Sequence, residues 1–309
     1  MTLTNKHKLL IAGAVVLALL LVPMLGSLYM VYLITEILIF ALFALSFNLL
    51  LGFGGMISFG HAAYFAIGAY ACAILLTTLN WPLLVAFPIA IAISGVVAFV
   101  IGYFCTRLTE IYFAMLTLAF AQLVWAIAFK WAAVTGGDTG FIGVNVPDFL
   151  DEPKRFFYFA LAVVVLSAYL LWRIVNSAYG FTLVATRENR NRAEFIGVNV
   201  RQVQLVAFVL SGTFAGVAGA LFTMFNHAVF VESAWWTQSA EVMIMSILGG
   251  VGTFIGPAVG AAVLLLLDRF ITEWTVYWPT VLGIILLCIL FFFPEGLTGV
   301  LGKRSGKKD

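Results

Sequence analysis

Two carboxylates sit inside apolar stretches of this sequence: Glu36 in TEILIF and Glu241 in SAEVMI. A carboxylate at the centre of a membrane-crossing helix costs about 2.5–3.5 kcal/mol on insertion scales, so it normally faces a bundle interior or a watery path. Either residue can therefore line a translocation path or simply be hydrated near a membrane interface. Glu36 is a few residues past Tyr32, which suits an aromatic belt. Asn48, Ser58, His61 and Gln122 are neutral groups in similar surroundings. Each serves either as a further contact along a polar path or as an interhelical hydrogen-bonding group, which is the commoner use.

Other chemistry is harder to build. His7, His61 and His227 are far apart, and neither HExxH nor GxSxG occurs. A hydrolase would need a nucleophile or metal cluster at depth. Cys72, Cys105 and Cys288 each lie in an apolar segment without metal-type spacing, and read as small buried hydrophobes. A P-loop needs Gly, four residues, then Gly-Lys-Ser/Thr. The Gly302-Lys303 pair has Leu297 at the first glycine position and Arg304 after the lysine. No cofactor or metal is implied, and these residues carry no site for hydrolysing ATP.

The elements that must position these groups are dictated by composition. The 309 residues are 63% hydrophobic and 10% charged, with a mean hydropathy of +1.11. A soluble domain carries about 25% charged residues. No charge occurs in Leu9–Thr35, Ile37–Thr106, Ile111–Phe129, Phe156–Trp172, Gln202–Val231, Val242–Leu267 or Trp274–Pro294. One crossing takes roughly 20 apolar residues, so the second window must hold several. Soluble enzymes, nucleic-acid binders and single-span receptors are excluded. The net charge of +2 gives no reason to expect a nucleic-acid partner. The expected fold is an all-α polytopic membrane protein, one permease-like domain over 1–309 in contact with the lipid bilayer.

Breaking the windows at Gly, Pro, Asn and belt aromatics predicts about ten crossings. They fall near 9–26, 29–51, 60–79, 82–106, 111–133, 156–175, 203–225, 238–250, 254–271 and 276–293. The eighth is short, as a broken helix packed against protein would be. Lys6, His7 and Lys8 before the first run resemble a signal peptide's charged region, but no small-x-small cleavage site follows, so a retained first helix is expected. With both ends cytoplasmic, twelve basic residues lie inside and only Lys130, Lys154, Arg155 and Arg269 outside. That asymmetry is the positive-inside pattern.

Two loops are long. The outer one, 134–155, opens with TGGDTG. The inner one, 176–202, contains RENRNRAEFIGVNV from Arg187 to Val200, the most polar stretch of the chain, and predicts a short mixed-charge helix ending near Gly197. LGFGGMISFG from Leu51 and LGGVGTFIGP from Leu248 echo each other weakly, as repeats in transporters do. SGTFAGVAGA, from Ser211 to Ala220, spaces small residues for close helix approach and predicts a packing seam.

Several of these blocks resemble, in order, the branched-chain amino acid ABC importer permeases, in particular the LivM-type subunit. They are NLLLGFGGMISFGHAAYFAIGAY from Asn48, IYFAMLTLAFAQLV from Ile111, TGGDTGFIGV from Thr135, RENRNRAEFIGVNV, LVAFVLSGTFAGVAGALF and MSILGGVGTFIGPAVGAA. The resemblance covers almost the whole chain. It implies a transport subunit in a bacterial inner membrane, paired with a second related permease. It also implies two ABC ATPase subunits on the cytoplasmic side and a periplasmic binding protein that delivers substrate. In such permeases a cytoplasmic loop contacts the ATPases. The matching positions are Arg187, Glu188, Ala193, Glu194 and Gly197, within a segment more basic than the family pattern. Import of urea or short amides is the nearest alternative. An ion-coupled secondary transporter, using Glu36 and Glu241 as coupled carboxylates, is the alternative from a different class.

The charge asymmetry gives a testable topology. Reporter fusions at Asp148 and at the C-terminal tail should report opposite sides of the membrane, and two periplasmic signals would overturn it.

Overall fold

Hydrocarbon offers no partner to a backbone amide, so a chain of this composition must pair its backbone within helices. The computed structural model describes residues 17–24, 26–108 and 110–272, with positions 13, 280–281, 283–285, 287, 291 and 296–298. Most of the tenth expected crossing, the first part of the first one, the basic ends and Cys288 lie outside the described residues. Residues 17–24 are helical.

Helix α1, Leu28–Asn48, starts at Ser27, whose Oγ accepts from the Met30 amide at 3.4 Å. It runs on as a π-helical turn, Leu49–Phe53. Helix α2, His61–Ala73, likewise ends in a π-helical turn, Ile74–Thr78. Then come α3, Leu83–Cys105; α4, Glu110–Lys130; and α5, Pro153–Val175. The polar segment 176–202 forms α6, Ala178–Glu188, and α7, Arg190–Phe195, before the long α8, Val200–Asn226. Helices α9, Trp236–Gly249, and α10, Gly256–Thr272, follow. A two-residue antiparallel ladder, Phe141 opposite Val229 and Ile142 opposite Ala228, ties the loop after α4 to the one after α8.

Among the described residues six helices are long and apolar enough to cross a membrane: α1 and α2 with their π turns, α3, α4, α5 and α8. They match the second to seventh expected crossings within a few residues. The eighth is indeed short, 14 residues, and the ninth has 17. At about 1.5 Å per residue α9 reaches only about 21 Å, short of a bilayer core of about 30 Å.

Burial sorts these helices into two shells. Of the most apolar window, 72% is buried in α2 and 22% in α4. Helices α1, α2 and α8 form the inner layer, and α3, α4 and α5 turn Phe99, Ile111, Met115 and Leu166 outward as a lipid-facing surface. The inner layer is joined through the small-residue seam expected at 211–220. A Cβ on Gly219 would overlap the Phe65 carbonyl, and one on Gly68 would overlap the Gly216 backbone. Where the backbones come this close, Ser94 of α3 donates to the carbonyls of Tyr64 and Gly212, at 3.0 Å each, and links three helices.

Gly219→Val should therefore fail to give folded protein, read as lost abundance and lost monodispersity in detergent. Gly252→Ala, where an added methyl meets nothing within 4 Å, should accumulate normally.

Candidate functional site

The interrupted helices create a polar interior. The chain from Gly54 to Gly60 leaves α1 and returns so that His61, the first residue of α2, faces Ser46, seven residues before the end of the π turn. His61 Nε2 lies 2.9 Å from Ser46 Oγ, its ring stacks on Phe43, and its Nδ1 has no hydrogen-bond partner among the described residues. A helix start leaves amides unpaired, and here hydroxyls take them up. Phe59 N donates to Thr117 Oγ1 at 3.2 Å, Gly60 N to Ser58 Oγ at 3.3 Å, and Ala62 N to Ser239 Oγ at 2.8 Å. Ser239 belongs to the first turn of α9, so the starts of α2 and α9 meet.

Of the expected path residues, Ser58 and His61 thus join one buried polar cluster. Asn48, two residues after Ser46, donates its Nδ2 proton to the Thr253 carbonyl at 3.1 Å, while its Oδ1 is buried with no partner among the described residues. Gln122, on α4, also has a buried amide nitrogen without a partner among the described residues. Ser46, Thr117, Ser211 and Ser239 were not legible as members. A hydroxyl in an apolar helix is too common a signal, and their roles depend on which helix starts beside them.

Glu36 and Glu241 converge on a second cluster. Glu36 Oε2 accepts from Arg269 Nη2 at 2.7 Å, and Glu241 Oε2 accepts from Gln238 Nε2 at 3.1 Å. Helices α9 and α10, which carry Glu241 and Arg269, both pack on α1, which carries Glu36. Arg269, expected at the outer end of the ninth crossing, lies in the last turn of α10 and faces Glu36 of α1. This was invisible in sequence because 233 residues separate the two partners.

The polar segment 176–202 holds two capped helices, α6 and α7, and runs into the capped start of α8. Ser177 Oγ accepts from Gly180 N, Asn189 Oδ1 from Arg192 N at 2.9 Å, and Asn199 Oδ1 from Gln202 N at 3.1 Å. The single helix expected here is split at Asn189, because that cap satisfies a new helix start. Gly197 adopts φ +89°, with its amide bonded to the Glu194 carbonyl and the Val198 amide to that of Ala193. This is the left-handed helix end that glycine favours. Tyr179 donates to the Val203 carbonyl at 2.8 Å, and burial pushes its phenol above the usual value. Arg107 and Arg201 both lie over the Tyr103 ring, at 4.5 and 5.0 Å, pinning the foot of α8 to that of α3.

The five expected contact residues of this segment do different things. Glu188, Glu194 and Gly197 are exposed, and Glu194 pairs with Arg190 at 3.1 Å. Ala193 is buried, so it cannot share an outward face with Gly197. Arg187 is exposed too, but its side chain lies across Gly55 and donates to the Gly52 carbonyl. The outward tip is Phe195 and Ile196, 90% and 78% exposed, a pair the sequence reading passed over. Two large apolar residues between a charged helix and a glycine stop were the available signal.

The two glycine-rich turns that echo each other in sequence touch. A Cβ on Gly52 would stand 2.5 Å from the Val251 carbonyl, and Asn48 reaches Thr253.

Residues 29–291 match the family described as branched-chain amino acid transport system / permease component. The chain is similar to the high-affinity branched-chain amino acid transport system permease protein LivM of Escherichia coli strain K12. The identity is 27% over 95% of this chain and 75% of that protein. It also resembles the probable branched-chain amino acid transport permease protein LivM of Methanocaldococcus jannaschii, 26% identical over 68% of this chain and 67% of that one. The probable LivH permease of the same organism is 28% identical over 47% and 48%. No solved structure matches the chain.

The Glu36–Arg269 pair is testable on its own. The side chains are 19% and 51% exposed, which places the pair between a surface ion pair and a buried one. Arg269→Gln should cost about 1–2 kcal/mol. Adding Glu36→Gln should cost little more, read by thermal unfolding in detergent. Strictly additive losses would show the two groups uncoupled.

Proposed function

We propose that this chain, which belongs to the branched-chain amino acid transport system permease component family, is the membrane-spanning subunit of an ATP-driven importer for branched-chain or related amino acids. It pairs with a second, related permease, two ATPase subunits bind on the cytoplasmic side, and a binding protein delivers substrate from outside. The occurrence in one organism of two relatives, named LivM and LivH, supports the pairing. The family is one of transport subunits, and the 309 residues contain no P-loop, so the work of ATP hydrolysis has to arrive through a cytoplasmic surface. Both termini face the cytoplasm of a plasma membrane in this reading.

One observation carries the proposal: the capped α6–α7 segment, within 176–202, displays Phe195, Ile196, Glu188 and the Arg190–Glu194 pair on its outer side. An aromatic side chain that is 90% exposed beside polar groups is the anchor a protein groove accepts. Substrate passes between the two permeases, with selectivity set mainly by the binding protein. Glu36, Asn48, Ser58, His61, Gln122 and Glu241 are the residues of this chain proposed to line or flank the route. An ion-coupled carrier would need Glu36 and Glu241 as freely coupled carboxylates, whereas Glu36 is neutralised by Arg269 and Glu241 is held by Gln238.

Phe195→Asp should lower ATPase co-purification by about tenfold or more and abolish leucine uptake, while leaving permease abundance unchanged. Glu188→Arg, which keeps the inner side positive, should do the same to a lesser degree. Wild-type co-purification and uptake in both variants would remove 176–202 from the coupling role. Uptake of urea in place of leucine by the wild-type assembly would transfer the substrate to the short amides. A separate replacement, Glu241→Gln, should change the uptake rate with ATPase binding intact.

A further inference from the structure

At the end of a helix the last carbonyls lack an intrahelical partner. Where α1 ends, the turn itself supplies three of them: Gly54 N donates to the Leu49 carbonyl at 3.1 Å, Met56 N to Leu50 at 2.9 Å, and Gly55 N to Leu51 at 3.2 Å. The next carbonyl, that of Gly52, accepts from the Arg187 guanidinium. The donor is charged and the acceptor sits at the negative end of a helix, which makes this the stronger kind of hydrogen bond. The Arg187 stem crosses Gly55 so closely that a Cβ there would stand 2.5 Å from its Cγ. Gly55 also holds φ +66°, so both backbone conformation and space require glycine.

The same turn is the seat of the second glycine segment. Gly52 packs on Val251, and Asn48 holds Thr253. Thr253 Oγ1 lies 2.8 Å from Thr298 Oγ1, which reaches the Gly249 carbonyl at 2.6 Å. The turn 250–255 joins α9 to α10, and a Cβ on Gly260 would overlap the Met245 carbonyl, so those two helices are closely packed on each other. Arg187 is thus attached to the piece of backbone on which the α9–α10 hairpin rests.

We propose that Arg187 is the positioning residue that transmits displacement of the α6–α7 segment to the junction of the two glycine turns, and through it to α9 and α10. The proposal rests on the reading of 176–202 as the ATPase-facing segment and adds the route inward from it. Arg187 is the inward strut; Phe195 and Ile196 are the outward contact. Removing the strut should leave the ATPases bound and hydrolysing, but disconnect hydrolysis from movement of the path.

The test uses the assembled importer in proteoliposomes with substrate-loaded binding protein, and compares wild type, Arg187→Ala, Arg187→Lys and Gly55→Ala. Three quantities are read: ATPase co-purification, ATP hydrolysed, and leucine moved per ATP. Arg187→Ala should retain the ATPases and their hydrolysis while transport per ATP falls at least tenfold. Arg187→Lys keeps the stem and a single cationic donor, and should recover an intermediate ratio. Gly55→Ala, which displaces the stem from the opposite side, should lower the ratio without touching Arg187. An unchanged transport ratio in Arg187→Ala overturns the proposal. Loss of the ATPases from Arg187→Ala also overturns it, because Arg187 would then belong to the docking surface. If Arg187→Ala does not accumulate, an unchanged ratio in both Arg187→Lys and Gly55→Ala overturns it equally. A failure of the underlying reading looks different, because Phe195→Asp would then keep its ATPases.

Discussion

The close approach of helix backbones at glycine is the constraint on which the rest of this structure depends. In water an inner layer of apolar helices would be driven together by burial. In lipid that drive is absent, and association rests on van der Waals contact and on interhelical hydrogen bonds. Both fall off steeply with distance, so backbones must come close, and Gly68, Gly212, Gly216 and Gly219 allow it between α2, α3 and α8. Ser94 can donate to two carbonyls on two different helices because no side chain stands between them. The inner layer then becomes a rigid frame from which the interrupted segments are suspended.

Those segments follow from the need to pair every amide. A chain that leaves a helix inside a membrane exposes amides that lipid cannot satisfy. At Phe59, Gly60 and Ala62 the partners are hydroxyls of Thr117, Ser58 and Ser239, drawn from three parts of the chain. The helix starts of α2 and α9 are therefore held by each other's neighbourhood. Movement of α9 bears directly on the first turn of α2 and on His61 beside it. At the C-terminal end of α1 the same accounting applies to carbonyls, and the missing donor is Arg187. Polar groups in this protein are placed where helices are broken, and the breaks connect the segment 176–202 to the interior.

Charge is arranged by the same logic. Glu36 and Arg269 neutralise one another at 2.7 Å across 233 residues, and Glu241 has an amide donor but no cation of its own among the described residues. Outside the apolar helices, charges are solvated and inexpensive. There the Arg190–Glu194 pair orders one helical turn and leaves Phe195 and Ile196 to dominate the exposed tip.

How much of this was legible in the sequence can be judged residue by residue. Local physics was readable: the apolar windows that become α1 to α5 and α8, the shortness of α9, the small-residue seam at 211–220, and the glycine that stops α7. Each depends on a run of neighbours along the chain, and a sequence records neighbours completely. The split at Asn189 was recorded too, in a cap residue three positions before Arg192, but was outweighed by the continuous charge pattern around it. What the sequence could not determine were the partnerships between distant segments. Ser239 serves the first turn of α2, Arg187 serves a carbonyl at the end of α1, and Arg269 meets Glu36. The two glycine turns looked alike as strings, but that they rest on one another is decided by the packing of α9 and α10 against α1. A hydrogen-bond partner more than a hundred residues away leaves no trace in local composition, because its geometry is set only when the helices between have packed.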